Sequence, residues 1–410
     1  MVGMSDDSGT ADILALRQTP DAIELRHLRA FIAVAEELNF GRAAGRLYLS
    51  QPALSRQIRA LERLVGCDLL RRSTHRVELT LAGEALLDRA RALLADLDAA
   101  LATTRSVGGE LIGRVNRLWA PLIEEVLEGA GELGAMRAAY ERMLAQAVIP
   151  DELAVLPLTA GGVPALQVSA DASAVPSVLH LHGGGLVLGS AYGYRALAGA
   201  VADSVGSGVL VPDYRLAPEH PFPAALDDAR NAYLWLLDQG VPPSDLIVSG
   251  DSGGGGLVVS LMLQLRELGI PLPAGVALLC PGLDLAGLLD GSSPLLASGN
   301  GETLAKVAGW YVGDHRVDDP LISPLQADLR GLPPILIQAG TGDPIAHDAG
   351  LLAARAEEYG VEVTMELYPV DTHIFQLFWS FLPEARQALA KVGEFTARVR
   401  GDEARRTAGS

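Results

Sequence analysis

Ser252 stands in the run Gly250-Asp251-Ser252-Gly253-Gly254, after the apolar, β-branched residues Leu246-Ile247-Val248 and before sequence able to continue as a helix. Gly-x-Ser-x-Gly between a strand and a helix marks a turn so tight that only glycine fits two residues either side. The strain holds the serine hydroxyl clear of the backbone. A serine presented in this way is a nucleophile for acyl transfer if a base and an orienting acid accompany it. The alternative is a structural serine in a glycine-rich loop.

In the order serine, acid, histidine, both partners must follow residue 252. A buried strand over Ile335–Ala339 runs into Gly342-Asp343-Pro344. The next strand, Val361 to Tyr368, is followed by a loop that holds His373. Of the eight histidines, His27 and His75 lie far upstream, His180, His182 and His220 precede the serine, and His315 precedes the acid. His347 sits within a turn of Asp343. His373 remains as the general base, with a buried, hydrogen-bonded structural histidine as the alternative. Asp343 is the acid, with Asp284 as the alternative and Asp348 read as structural. Acyl transfer also needs amide donors aimed at the developing oxyanion. The strand Ser177–Leu181 leads into His182-Gly183-Gly184-Gly185, so Gly183 and Gly184 are read as donors with Gly253 as a third. A phosphate-binding glycine loop competes, but neither Gly-x-Gly-x-x-Gly in a βαβ unit nor a Gly-Lys-Ser/Thr ending is present.

A different chemistry is written near the N-terminus. Leu25, Leu28, Ile32 and Ala35 lie on one face of a helix, a short helix follows from Arg42 to Leu47, and Ser50 can N-cap a third helix with Pro52 in its first turn. Two short helices joined by a tight turn can present Ser50, Gln51, Pro52, Ser55, Arg56, Gln57 and Arg59 to a DNA groove. The segment 69–80 reads as a two-stranded wing bearing Arg71, Arg72 and Arg76. Between residues 39 and 80, eight arginines face three acids, a local excess of positive charge inside a chain of net charge −18. A solvated helical surface would explain the charge alone.

Leu38-Asn-Phe-Gly-Arg-Ala-Ala, Leu49-Ser-Gln-Pro-Ala-Leu-Ser-Arg-Gln-Ile-Arg and Leu79-Thr-Leu-Ala-Gly-Glu together resemble the winged helix-turn-helix of LysR-type transcriptional regulators, over about residues 24–105. The resemblance implies a recognition helix in the major groove, a wing on the backbone, and a following helix whose Leu86, Leu93, Leu97 and Leu101 pair two subunits into a homodimer. It stops after Gly109, where that family continues into a different effector domain. His182-Gly-Gly-Gly, Asp213-Tyr-Arg-Leu-Ala-Pro-Glu-His, Gly250-Asp-Ser-Gly-Gly and Asp343-Pro with His373 resemble instead the hormone-sensitive-lipase family of α/β-hydrolase carboxylesterases, from about residue 136 to 399. That implies a mostly parallel eight-stranded sheet, a small helical cap, a Ser252–His373–Asp343 mechanism and an acyl-enzyme. Three positions depart from the pattern: Gly253 replaces an alanine, Leu186 an aromatic residue, and Val370-Asp371-Thr372 a glycine-containing approach to His373.

A chain of 410 residues with 49% hydrophobic content exceeds one ordinary core. The expected architecture is an N-terminal all-α winged helix-turn-helix with a linker helix and a C-terminal α/β-hydrolase fold. The expected divisions are tails at 1–22 and 401–410, the helix-turn-helix at 23–81, a linker helix at 82–110 ending in a hinge at Val107-Gly108-Gly109, cap helices at 111–150, and the catalytic domain at 151–400. Two cysteines, Cys67 and Cys280, form no ligand or disulfide spacing, so neither metal nor cofactor is expected. No signal peptide and no run of ~18 apolar residues is seen, which points to the cytoplasm and away from membranes. The partners expected are a small ester or lactone and double-stranded DNA. Three readings follow: a regulator with a working esterase as effector module, a regulator whose hydrolase fold is a non-catalytic receptor, and an esterase that keeps the helix-turn-helix for dimerisation.

Overall fold

Asn39 and Ser50 begin two helices by the same device. Each side-chain oxygen accepts an amide hydrogen bond three residues on, from Arg42 and Ala53 respectively. The structure, a computed structural model, describes residues 23–47, 49–72, 77–127, 132–297 and 301–401. The expected tails at 1–22 and 402–410 and the wing tip at 73–76, with Arg76, lie outside the described residues.

The chain divides into two compact units at Glu110/Leu111. In the first, α1 (Leu25–Glu37), α2 (Phe40–Arg46) and α3 (Gln51–Val65) enclose a small core that includes Phe31, Val34, Leu54, Ile58 and Leu61. Strands β1 (Leu70–Arg72) and β2 (Val77–Leu79) pair antiparallel as the wing. Helix α4 then runs from Leu81 to Leu127 without a break. The expected hinge at Val107-Gly108-Gly109 is therefore helical. Each glycine costs about 1 kcal/mol relative to alanine, too little to interrupt a helix whose flanks, such as Leu101-Ala102 and Glu110-Leu111, favour it.

In the second unit, β3 (Ala154–Ala160), β4 (Val163–Ser169), β5 (Val178–Leu181), β6 (Val209–Pro212), β7 (Ile247–Asp251), β8 (Gly275–Leu279), β9 (Ile335–Gly340) and β10 (Val363–Tyr368) form one eight-stranded sheet. Its order is β10-β9-β8-β7-β5-β6-β4-β3. The pairings β3·β4 and β4·β6 are antiparallel and the rest parallel. Strands β5 to β9 are almost continuously apolar because helices cover both their faces, and all of their residues are buried. Helices α5 (Leu133–Leu144), α6 (Arg195–Val205), α7 (Ala224–Asp238), α8 (Ser252–Glu267), α9 (Leu285–Asp290), α10 (Gly301–Val312), α11 (Ala346–Glu358) and α12 (Pro383–Arg400) complete the unit. Ligand sites in such sheets lie beyond the carboxyl ends of the parallel strands. Ser252, Asp343 and His373 follow the carboxyl ends of β7, β9 and β10.

Candidate functional site

Ser252 is the first residue of α8 and adopts φ +50°, a left-handed conformation unusual for a side chain larger than hydrogen. The flanking glycines make this possible. A Cβ on Gly250 would lie 2.6 Å from the carbonyl oxygen of Gly254, and one on Gly254 would collide with that of Leu181. The hydroxyl reaches His373, whose Nε2 lies 2.8 Å from Ser252 Oγ and whose Nδ1 lies 2.8 Å from Asp343 Oδ2. Three residues spread over 122 positions thus form one unbroken hydrogen-bonded chain. Asp284 takes no part in it: its carboxylate caps α9 through the amide of Gly287. Asp348 accepts the amides of Leu283 and Asp284 and is structural.

Electrostatics favour the division of labour that acyl transfer needs. Burial raises the pKa of Asp343, but the His373 charge, its hydrogen bond and the amide of Ile345 outweigh it and hold the carboxyl below the usual range. Burial likewise disfavours protonated His373, yet the Asp343 charge and hydrogen bond win, so the imidazole is held above its ordinary value. Cys280, at the end of β8, has its thiol among these groups, and its pKa is raised, chiefly by burial. Among the described residues the one cluster of potential metal-ligating side chains is Cys280, Asp343 and His373. Two of the three already satisfy each other.

The oxyanion loop departs from the sequence reading. Gly183 cannot serve as a donor, because its amide is bonded to Asp251 Oδ1 at 2.9 Å. Asp251 is fully buried, accepts Tyr194 Oη at 2.9 Å, and Tyr194 in turn lies 2.6 Å from Tyr140 Oη of α5. His180 Nε2 stands 3.2 Å from the same carboxylate. This network holds the loop against β7 instead of facing the reacting atoms. Gly184 and Gly185 have no amide acceptor among the described residues, and Gly185 faces Gly253 so closely that a Cβ there would lie 2.9 Å from Gly185 Cα and 3.1 Å from its nitrogen. The amides placed for an oxyanion are therefore those of Gly184, Gly185 and Gly253. Nothing local in the sequence separated Gly183 from Gly185. The loop following β6 braces this region from outside. Arg137 of α5 binds Glu219 through two contacts of 2.7 Å and the carbonyls of Val187 and Ala217, and Arg215 pairs with Asp228.

The other candidate surface lies on α3. Ser50, Gln51, Pro52, Arg56 and Arg59 are exposed, while Ser55 and Gln57 are half-buried. Arg71 is exposed on the wing. The charge of this face is smaller than the sequence count suggests, because Arg42 and Arg46 are paired with Glu37 and Glu36 of α1. Arg56, Arg59, Arg63 and Arg71 carry what remains. Among the described residues no helix is long and apolar enough to cross a membrane.

Residues 178–377 match the alpha/beta hydrolase fold family, and residues 25–84 match the bacterial regulatory helix-turn-helix proteins of the lysR family. The chain is 38% identical over 291 residues to a putative acetyl-hydrolase of Mycobacterium tuberculosis, covering 68% of this chain and 94% of that one. An esterase of Acinetobacter venetianus is 37% identical over 252 residues, covering 60% and 82%. Among solved structures, an esterase from the bacterial hormone-sensitive lipase family superposes with a TM-score of 0.64 at 38% identity, over 70% of this chain and 97% of that one. With the site geometry above, these likenesses make the chain a carboxylic ester hydrolase of the bacterial hormone-sensitive-lipase family, with a lysR-family helix-turn-helix at its N-terminal end.

Proposed function

We propose that this chain is a transcriptional regulator whose effector module is a working serine esterase for short-to-medium acyl esters or lactones. The observation that carries the hydrolytic half is the hydrogen-bonded run Ser252–His373–Asp343. Ser252 Oγ attacks the acyl carbonyl while His373 Nε2 takes its proton, and Asp343 holds the imidazole in the tautomer that accepts it. The oxyanion is received by the amides of Gly184, Gly185 and Gly253. His373 passes the proton to the leaving alkoxide, and water, activated by the same base, releases the acid from the acyl-enzyme. No cofactor enters any step. The acetyl-hydrolases among the relatives favour the short end of the acyl range.

The regulatory half rests on the exposed polar face of α3 and the wing. In this reading α3 enters the major groove of double-stranded DNA, α4 pairs two subunits, and the protein works in the cytoplasm. The test of the hydrolytic half is turnover of p-nitrophenyl acetate, butyrate and octanoate by the full chain beside Ser252→Ala. Turnover should fall by a factor on the order of 10⁴ or more in the variant. Equal turnover by folded Ser252→Ala would mean that hydrolysis does not pass through this serine, and none by the parent on any chain length would replace the enzyme with a ligand receptor.

A further inference from the structure

The loop that carries His373 is built differently from the serine turn. Ile374, directly after the histidine, is β-branched yet adopts φ +48° and ψ +48°, a conformation that persists only where its surroundings impose it. Before the loop, the amide of Gly342 binds the carbonyl of Val370 at 3.0 Å. After it, Gln376 is tied to Gln338 at 3.2 Å. Between these anchors Thr372 is tied twice: its Oγ1 donates to the carbonyl of His373 at 3.5 Å, and it accepts a bond from outside the loop. The indole nitrogen of Trp119, from the last turns of α4, donates to Thr372 Oγ1 at 2.9 Å. The same indole packs edge-on against Phe378, with centroids 6.4 Å apart and planes at 75°. Trp119 therefore grips the chain on both sides of His373, at the position where Thr372 belongs to the segment that departs from the family's glycine-containing pattern.

We propose that Trp119 is a positioning residue for the reaction: its hydrogen bond to Thr372 fixes the backbone from which His373 reaches both Ser252 and Asp343. Trp119 makes its hydrogen bond to Thr372 and not to a member of the triad, so its effect passes through residue 372. Base and nucleophile must hold hydrogen-bond distance through two proton transfers, and a loosened loop lowers the fraction of molecules in that geometry without weakening ester binding as such. The inference rests on the triad reading above.

The test uses the full chain and p-nitrophenyl butyrate, with Trp119→Phe (ring kept, donor removed), Thr372→Val (shape kept, acceptor removed), Thr372→Ser (acceptor kept) and the Phe/Val double variant. Trp119→Phe and Thr372→Val should each lower kcat by about 5- to 30-fold with KM changed by less than about threefold. Thr372→Ser should stay within about twofold of the parent. Thr372→Val also removes the bond from this hydroxyl to the His373 carbonyl, so it is the poorer single variant, and adding Trp119→Phe to it should cost nothing further. The acid limb of kcat/KM should move to lower pH in both single variants as the His373–Asp343 contact loosens. Effects confined to KM, an unmoved acid limb, or losses that multiply in the double variant would overturn the proposal. If Trp119→Phe fails to fold, Trp119→Met, which also lacks the donor, takes its place and is judged by the same kcat loss and the same non-additivity with Thr372→Val. Loss of turnover in His373→Ala alongside a fully active Trp119→Phe would remove only this inference. An active His373→Ala would remove the triad reading beneath it.

Discussion

The two units present their chemistry in opposite ways. In the catalytic unit the groups that matter are sunk at the ends of buried strands, and even supporting groups such as Asp251, His180 and Tyr194 are almost wholly shielded from solvent. In the DNA-binding unit the informative side chains stand in water on α3, and burial is confined to the apolar back of the same helix at Leu54, Ile58 and Leu61. Acyl transfer stabilises a charge that appears for an instant and gains from a dry, fixed surround. Phosphate and base edges are already charged or polar and must be met by groups free to reach them. One unit is consequently intolerant of added atoms, and the other is sensitive chiefly to lost charges.

That contrast can be pressed hardest at Gly253. Alanine there adds a single uncharged methyl group, yet it would stand 2.9 Å from Gly185 Cα, backbone with little room to yield. The loop must retreat and carry the Gly184 and Gly185 amides off their target. Gly253→Ala should lower kcat by about 10- to 100-fold, approaching the loss of one oxyanion donor, with KM nearly unchanged. Kinetics on p-nitrophenyl butyrate would show it. An active variant would mean that the loop adapts, and that the glycine here is a matter of packing alone.

The opposite behaviour is expected at Arg56. It is exposed, and among the described residues it makes no ion pair. Arg56→Ala should leave esterase turnover and Tm essentially unaltered, since surface changes away from special features stay within about 0.5 kcal/mol. Affinity for duplex DNA should fall by about 5- to 10-fold, and a lost phosphate contact should reduce the slope of log affinity against log salt by about one. Titrations of a labelled duplex at several salt concentrations would measure both. Unchanged affinity and slope would mean that this face of α3 does not meet DNA.

How much of this was legible in the sequence follows the reach of each interaction. The serine turn could be read because its constraint is local: Gly250 and Gly254 are demanded by backbone within four residues. Asp343 and His373 could be read because chain order and strand ends left few candidates. The Gly183 assignment failed because the direction of that amide is set by Asp251, 68 residues away. Trp119 was invisible for the same reason at greater range, since its acceptor lies 253 positions along the chain. Gly108-Gly109 was read as a hinge from composition, but helix formers on both sides carry α4 through it.

The smallest effect expected is a pH shift, and it concerns His373, which keeps 22% of its side chain exposed. Two causes oppose each other there. Burial favours the neutral imidazole, while the Asp343 charge and hydrogen bond favour the protonated one and prevail. Only neutral His373 can accept the Ser252 proton, so activity is present above its pKa and lost as pH falls through it. A raised pKa places the midpoint of the acid limb of kcat/KM above the ordinary histidine value of about 6.5. A profile from pH 5 to 9 decides the balance. A midpoint clearly below 6.5 would mean that burial outweighs the aspartate, and that the open side of the triad is closed more tightly in the working enzyme than the contacts of His373 imply.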